Sequence, residues 1–484
     1  MSIRILIVLA AAPMTFIEVS TAASPDEASA PRKLLITPAV ELRPALKYQL
    51  LPKFIDRRPG NAAPRYAKAM IGRPANSEFD TKMAAWLELS PAEFAKPEIL
   101  KEIKAAQFGA IIDELRSAAN TEHCDWDLPL REQMVFSIRL PEVQEMRRMG
   151  NYVALHARVL LVEGEFDESA ATLAAGYAMA RHIAQGPTLI NALVGYAIAA
   201  RMDKVVLDWS QTPAAPSLFW AATFLPKPIV DLRPGLEGEM YSLLLSFPSL
   251  RLSAKSDAQW KADADQLLRD FYGVHGQLTA DGEPAGWIKV FSNAAVSANV
   301  VMRRDAMREF LVVCGRSRQS VVAMDDSQLF LEYSVLKFED LRDDMFRWTT
   351  LPYPEARAGI EAAEQRLKAS KDPNSPDHEI VPFAALLLPA VAQVSKMSAR
   401  HERRADVLRI VEGLRVYAGR HDGKLPKTLK ELELPISEVD AVTGSPLDYK
   451  LRDNTAIITL PSERNDSGNS TLIYEIDVAR PKSP

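Results

Sequence analysis

Apolar residues recur with the 3.6-residue period of an α-helix through most of the chain, from Arg65 to Ser370. One helix start is marked by Ser90-Pro91-Ala92-Glu93, because serine accepts hydrogen bonds from free amides and proline fits the first turn. A chain with this pattern buries its apolar stripes by packing helix on helix. We therefore predict a mainly α fold for residues 65–370.

Residues 152–183 indicate two antiparallel helices. Small and apolar residues lead into Gly164-Glu165-Phe166-Asp167, and Leu173, Tyr177 and Arg181 follow at helical spacing. This resembles one tetratricopeptide unit, in which small residues let two helices approach closely, although no second copy at a period of about 34 residues is evident. The pattern predicts a helical-hairpin array, and a peptide-binding groove is a hypothesis that follows from it.

A different pattern follows the polar segment at residues 371–378. Apolar residues between Val407 and Ala418 form a helical stripe. The opposite face of that helix carries Asp406, Arg409, Glu412 and Arg415. Between Leu447 and Val478, apolar and polar residues alternate in short runs separated by turns, which is typical of strands. We therefore predict a small C-terminal α+β module of about three antiparallel strands.

Short motifs connect this helix to the strands. They are Tyr417-Ala418, His421, Gly423-Lys424-Leu425-Pro426, Asp440, Gly444, Pro446 and Tyr449. In this order they resemble the soluble part of type II secretion pseudopilins of the major, G-like kind, over about 75 residues from Arg403 to Val478. Ala441 stands where that family usually has proline, and no pilin-type leader directly precedes the helix, so a normally processed filament subunit is not expected.

The whole chain is similar to uncharacterised exported bacterial proteins that join a long helical region to such a tail. This resemblance implies a lineage and a compartment, and it implies no activity.

The N-terminus predicts export. A single positive charge at Arg4 precedes the apolar run Ile5–Ala12, and small residues follow up to Ala23. This order is typical of a secretory signal peptide at residues 1–23, cleaved near Ala22 or Ala23, and predicts a periplasmic or secreted protein. The apolar run is shorter than the ~20 residues of a membrane-spanning helix, and an uncleaved anchor is the alternative.

Prolines recur between residues 24 and 64 and block continuous helix there, so we predict an extended arm whose apolar residues lie on the body. The predicted organisation is a signal peptide (1–23), a proline-rich extended arm (24–64), a helical domain (65–370), a linker (371–378) and a helix plus pseudopilin-like α+β module (379–484). We expect no integral membrane segment after signal cleavage.

Composition argues against nucleic-acid binding, because the formal net charge of −5 provides no basic field. None of the common catalytic or phosphate-binding motifs occurs, and His378-Glu379 and His401-Glu402 each lack the second histidine of a zinc-protease helix. We expect no cofactor and leave the catalytic residues unassigned. A catalytic site assembled from distant residues is open, with His156 and His182 on adjacent predicted helices as its candidates.

Four further groups are candidate sites, and we expect no metal. His123-Cys124-Asp125 are metal-ligand types, but adjacent ligands lack the spacing that wraps an ion, so a loop held by Trp126 is favoured. Glu237 and Glu239 lie two apart and do not share a helix face, which favours a solvated face over an acid–base pair. The remaining candidates are Cys124 and Cys314, bridged or separately buried, and the oxygen donors Asp440, Asp448, Asp453 and Asp466 for calcium.

Taken together, the export signal, the single hairpin and the missing catalytic motifs predict a non-enzymatic scaffold of the bacterial envelope that acts through protein–protein contacts. The alternatives are a hydrolase or small-ligand-binding enzyme with its site between helical layers, and a purely structural component of the envelope.

Overall fold

Helices account for most of the residues that the computed structural model describes, which are 31–73, 77–132, 135, 138, 140–252, 255–278, 293–461 and 471–479. The predicted signal peptide lies outside these residues. The helices are α1 (Ala63–Ile71), α2 (Ser77–Trp86), α3 (Pro91–Phe94), α4 (Pro97–Ala105), α5 (Gly109–Ala119), α6 (Pro141–Glu163), α7 (Phe166–Ile183), α8 (Leu189–Gln211), α9 (Phe219–Thr223), α10 (Arg233–Ser246), α11 (Asp257–Leu278), α12 (Asn293–Val313), α13 (Arg318–Ala323), α14 (Asp326–Phe346), α15 (Tyr353–Ala369), α16 (Phe383–Leu387) and α17 (Pro389–Arg420). The strands are β1 (Arg32–Ile36), β2 (Arg58–Asn61), β3 (Thr121–His123), β4 (Asp448–Arg452), β5 (Thr455–Leu460) and β6 (Leu472–Val478). The predicted mainly α fold is confirmed.

The predicted C-terminal sheet is present, with β4, β5 and β6 antiparallel. A fourth strand, β1, comes from the arm and pairs with β6 in parallel, so that the strand order is β1-β6-β5-β4. Pro31 and Pro38 flank this strand without interrupting it, and Leu34 and Ile36 between them point into the core. Proline density predicted an extended arm, and the arm turns out to complete the sheet.

Antiparallel helices α6, α7 and α8 form the centre of the helical domain, which includes the predicted hairpin. Gly164 ends α6 in the left-handed conformation, with φ of 79°, where glycine carries no steric penalty. Close approach of α7 and α8 depends on Gly176, because a Cβ at that position would lie 2.1 Å from Sδ of Met202. The two helices therefore pack closely enough for polar side chains on them to meet.

Helix α17 belongs to two cores at once. Its first turns, including Val391 and Val394, pack in the core of the helical domain, whereas Val411 and Leu414 pack under the sheet. Leu388 separates α17 from α16, so the apolar stretch before Val391 belongs to two helices. Within the described residues, we find no helix that combines the length and apolarity needed to cross a membrane.

The charged face of α17 is buried as well, which the amphipathic pattern did not predict. Arg415 and Glu412 form an ion pair at 2.7 Å with both side chains out of contact with solvent. The same guanidinium donates to the backbone carbonyls of Thr37 at 2.9 Å and Ala215 at 2.6 Å. Close contact of the arm also requires Gly419, where a Cβ would lie 2.3 Å from the carbonyl oxygen of Ala39. Internal pairing thus lets a charged helix face pack against the arm and the loop after α8.

Residues 371–378, predicted as a linker, pack against α14 and α15. Lys337 donates to the carbonyl of Pro376 at 3.2 Å, and Arg366 binds the Asp377 carboxylate at 2.8 Å. Helix α11 continues through Gly273 and Gly276 to Leu278, and residues 279–292 lie outside the described residues. Buried side chains earlier in α11, such as Leu267 and Phe271, stabilise the helix against the glycines that follow.

Candidate functional site

A small cavity lies between helices α7, α8 and α17, beneath the loop that follows α9. Space for the centre of a water molecule amounts to ≈ 20 Å³, which is enough to hold one water. Apolar walls come from Leu50, Val206 and Ile229. The polar side chains at its wall are Tyr177, Asp203, Lys227, His401, Glu402 and Arg409.

Three of these side chains form a buried chain of polar contacts. Tyr177 donates its hydroxyl to Oδ1 of Asp203 at 2.7 Å, and Nε2 of His401 lies 3.1 Å from Oδ2 of the same carboxylate. Burial, together with the Asp203 charge, raises the pKa of Tyr177 well above its usual value, so the phenol stays protonated and acts as a donor. We call Tyr177, Asp203 and His401 the Tyr–Asp–His cluster.

The local sequence explains why these residues meet. Gly176 and Met202, which pack against each other, directly precede Tyr177 and Asp203, so their contact brings the two polar side chains together. On α17, Ser398 lies one turn before His401 and accepts a hydrogen bond from Tyr196 of α8 at 2.7 Å. These contacts fix α17 against α8 in the register that points His401 at Asp203.

Two atoms of the cluster lack a hydrogen bond within the part of the chain that the structure describes. Oδ2 of Asp203 and Nε2 of His401 are both buried, and their close approach does not have hydrogen-bond geometry. A buried polar atom without a partner costs about 1–3 kcal/mol, so such atoms usually bind water or a ligand. At 3.1 Å the two atoms leave no room between them, but the cavity that both residues line has room for one water, or one polar atom of a ligand, beside them.

Charged residues surround the mouth of the cavity. Lys227 lies on the loop after α9 and binds the Asp406 carboxylate at 2.8 Å, and Arg409 pairs with the same carboxylate. Burial raises the pKa of Glu402, whose charge is partly offset by Lys227. The mouth therefore presents both signs of charge to an entering molecule.

The structure gives the histidines singled out from the sequence separate surroundings. His182 is buried, and its Nδ1 lies 2.8 Å from the hydroxyl of Tyr66, whereas His156 packs edge-on against Phe108. His156 lies about nine residues closer to the α6–α7 turn than His182 does. At the helical rise this separates them by roughly 13 Å along the hairpin. They do not form the pair that the sequence suggested.

Burial makes His182 an acid-sensitive group. Because burial lowers its pKa to about 4, the ring is neutral in the folded protein, whereas an unfolded chain protonates near pH 6.5. Stability is therefore lost as the pH falls from about 6.5 toward 4. Relative to His182→Gln, we expect the wild type to lose about 2 kcal/mol of unfolding free energy between pH 7 and pH 5. Urea denaturation at pH 7 and pH 5 measures this loss. Equal losses in the wild type and in His182→Gln would show that His182 is not the acid-sensitive group.

The His123-Cys124-Asp125 segment runs from the end of β3 into a loop, and of the three residues only Cys124 is buried. Its Cys124 amide donates to the Gln185 side chain at 2.6 Å, and Trp126 stacks on Tyr66 at 6.5 Å. Among the residues that the structure describes, no three or more His, Cys, Asp or Glu side chains are placed to hold a metal ion. Of the acids considered for calcium, Asp440 binds Arg403 at 2.6 Å, and Asp466 lies outside the described residues.

Both cysteines are free thiols, Cys124 buried and Cys314 exposed. Burial raises the pKa of Cys124 to about 12, which leaves almost none of the reactive thiolate. We expect one thiol per chain to react with a disulfide reagent in the native protein and two in guanidinium chloride. A native count of zero would indicate a bridge, and a native count of two would show that Cys124 is accessible.

Two carboxyls elsewhere, the buried Glu379 and the half-buried Glu239, accept hydrogen bonds from backbone amides. Glu379 accepts hydrogen bonds from the amides of Ala384 and Ala385 at the start of α16, and burial raises its pKa to about 7. Burial likewise raises the pKa of Glu239 to about 7, whereas Glu237 is exposed. Both residues were expected on a solvated face, and of the two only Glu237 is exposed.

Sequence reasoning did not pair Asp203 with His401, because nearly two hundred residues separate them. The available signal was Asp203 in the apolar run of α8, since a carboxylate is rarely buried unless it is paired. Comparison of the chain with protein-family models, with curated proteins and with solved structures found no match.

Proposed function

We propose that the protein is an exported, non-enzymatic scaffold of the bacterial envelope that acts through protein–protein contacts. The observation that carries this proposal is a surface of α12 and α13 on which exposed apolar side chains alternate with exposed acids such as Asp305 and Glu309. We call it the α12–α13 surface and define it by Val301, Met302, Val313 and Val322, each more than half exposed. Patches of this kind mark interaction sites.

Geometry supports a common role for these side chains. Met302 is 74% exposed and Val313 84%, and the two lie about three turns apart on the same side of α12. Met307 and Leu311, on the opposite side, are buried in the core, which holds the helix in place. A rigid helix with apolar side chains in solvent fits the groove or helical face of a partner protein.

Cys314 provides a direct test because it is exposed beside Val313, whereas Cys124 is buried. A thiol-directed photo-crosslinker on Cys314 is expected to capture a discrete envelope protein. The control carries the crosslinker on a cysteine at position 371, in a Cys314→Ser, Lys371→Cys variant, because Lys371 is an exposed residue outside the surface. Met302→Glu should lower the yield of the adduct at least tenfold.

Equal adducts from the two positions, or an adduct unchanged by Met302→Glu, would count against this surface. Absence of any discrete adduct in living cells would count against the scaffold role itself.

We propose further that the C-terminal module shares its lineage with G-like pseudopilins. Contacts among the motif residues support this: Tyr417 stacks on His421 with ring centroids 3.9 Å apart, and Tyr449 donates to the carbonyl of Pro426 at 2.7 Å. Gly444 has a φ of 69°, as the turn between Asp440 and Pro446 requires. The periplasmic or secreted location remains part of the same proposal.

The Tyr–Asp–His cluster favours a second candidate function, binding or hydrolysis of a small polar ligand between helical layers. Its support is the pair of buried atoms without hydrogen bonds beside a cavity. In such a site His401 would act as the acid–base group, with Asp203 positioned beside its ring.

Activity toward p-nitrophenyl acetate and p-nitrophenyl phosphate tests this function. Asp203→Asn should then lower the rate at least a hundredfold, whereas His421→Gln, on an exposed histidine at the end of α17, should not change it. Identical rates in the wild type and Asp203→Asn would exclude a catalytic role for the cluster with these substrates.

A further inference from the structure

Two large apolar side chains stand side by side in solvent on the arm. Phe54 is 84% exposed and Ile55 87%, in the short turn Phe54–Asp56 that precedes β2. Single exposed apolar residues are ordinary on protein surfaces, but adjacent ones on a protruding turn need a reason. We call the segment Lys53–Arg58 the apolar tip.

Backbone hydrogen bonds hold the tip in shape without burying it. The amide of Asp56 donates to the carbonyl of Lys53 at 2.9 Å, and the Arg57 side chain donates to the carbonyl of Pro52 at 3.2 Å. On the far side, the Arg58 amide donates to the carbonyl of Asn120 at 2.7 Å as β2 enters its pairing with β3. The apolar side chains are therefore presented by an ordered support, and contact with a partner would not have to order them first.

Positive charge surrounds this pair. Lys53, Arg57 and Arg58 are all exposed, and Asp56 is the one acid in the segment, which leaves two net positive charges on six residues. The whole chain has a net charge of −5, so the tip is a positively charged segment of a negatively charged protein. A turn that carries both basic and apolar side chains is complementary to a surface with a negatively charged outer layer and an apolar interior.

Another basic side chain lies near the tip. Burial lowers the pKa of the Arg181 guanidinium, and the charge of the nearby Arg57 lowers it further. Arg181 thus adds a basic group to the surroundings of the tip.

We propose that the apolar tip contacts an anionic lipid surface, with Phe54 and Ile55 entering the interface and Lys53, Arg57 and Arg58 binding the headgroups. A protein partner is disfavoured because two side chains without neighbouring walls form a convex point, whereas a stable protein interface needs about 800 Å² on each side. A fluid lipid surface accommodates a convex point, and each nearby basic residue strengthens binding about fivefold. The contact does not depend on the scaffold role proposed above.

Vesicle co-sedimentation of the full chain tests the contact. Wild type is expected to bind vesicles of 70% phosphatidylcholine and 30% phosphatidylglycerol and to bind pure phosphatidylcholine vesicles at least tenfold more weakly. Phe54→Ser, Ile55→Ser should weaken binding to the anionic vesicles at least tenfold, and Lys53→Gln, Arg57→Gln, Arg58→Gln about fivefold per charge. Added salt should weaken the wild type in the same direction.

The matched control is Ile71→Ser, which removes an isolated exposed apolar residue at the end of α1 and should bind as the wild type does. All variants share the same N-terminal apolar run, so that run cannot cause a difference between them. Circular dichroism should show unchanged folding, because the replaced side chains are exposed.

An environment-sensitive dye on Ile55→Cys, in a Cys314→Ser background, reports insertion directly. A blue shift of its emission on adding the anionic vesicles supports the proposal. Equal binding by wild type and Phe54→Ser, Ile55→Ser, or a blue shift with lipid-free envelope protein and not with vesicles, would overturn it.

Discussion

Replacing Arg415 with methionine is expected to lower the free energy of unfolding by about 3–5 kcal/mol, the usual cost of removing one partner of a buried ion pair. Methionine fills much of the same volume, so the loss reports charge and hydrogen bonds more than a cavity. It leaves the Glu412 carboxylate buried without its cation, and it leaves the carbonyls of Thr37 and Ala215 without this donor. Urea denaturation followed by circular dichroism measures the change.

Arg420→Met is the matched control on the same helix. Arg420 also joins α17 to the arm, through Glu41, but its side chain is 48% exposed, so its removal should cost no more than about 1 kcal/mol. Equal losses of unfolding free energy in the two variants would show that the buried network around Arg415 stabilises the fold no more than the exposed Arg420–Glu41 pair does.

The second large effect is expected for Asp440→Ala, also about 3–5 kcal/mol but confined to the C-terminal module. Asp440 accepts a hydrogen bond from Nε of Arg403 at 2.6 Å and another from the Thr443 hydroxyl at 2.7 Å, and both charged side chains are buried. Burial alone would raise the pKa of Asp440, but these hydrogen bonds and the Arg403 charge lower it below its ordinary value. The substitution leaves the buried Arg403 guanidinium without its carboxylate partner. It also removes the hydrogen bond from Thr443 that holds the turn before β4.

Hydrogen exchange separates this local effect from general destabilisation. Amides of β5 and β6 should exchange about a hundredfold faster or more in Asp440→Ala, while those in the centre of α7 change far less. Asp448→Ala, which removes a half-exposed carboxylate bound to Lys450, should leave exchange nearly unchanged. Uniform acceleration across the whole chain would contradict the local role of Asp440.

Periodicity predicted the mainly α fold and the three antiparallel strands because both patterns depend on neighbouring residues. The same reasoning failed for the charged face of α17, where Asp406, Arg409, Glu412 and Arg415 are all buried. An amphipathic pattern assigns charge to solvent, and it cannot anticipate that acids and arginines three residues apart neutralise each other against distant backbone carbonyls. That outcome depends on partners supplied by the arm and the loop after α8.

Distance along the chain also explains what was missed at the candidate site. His401 was considered only for its immediate neighbours, as part of a zinc motif that the sequence lacks. Its contact with Asp203 arises from tertiary packing of α17 on α8, which no local spacing encodes. The thiols show the same limit, since sequence left pairing open, whereas the fold buries Cys124 and exposes Cys314.

The pairing of β1 with β6 determines when the sheet can be completed during biosynthesis. Strand β1 leaves the ribosome before any of the helices exists, and β6 leaves after all of them. Contacts that join such distant segments form slowly, because the intervening chain must be organised first. A nascent chain therefore passes through a stage in which Leu34 and Ile36 have no sheet to cover them. We expect holding chaperones to engage the chain at this stage, and final closure of the sheet to release it from them.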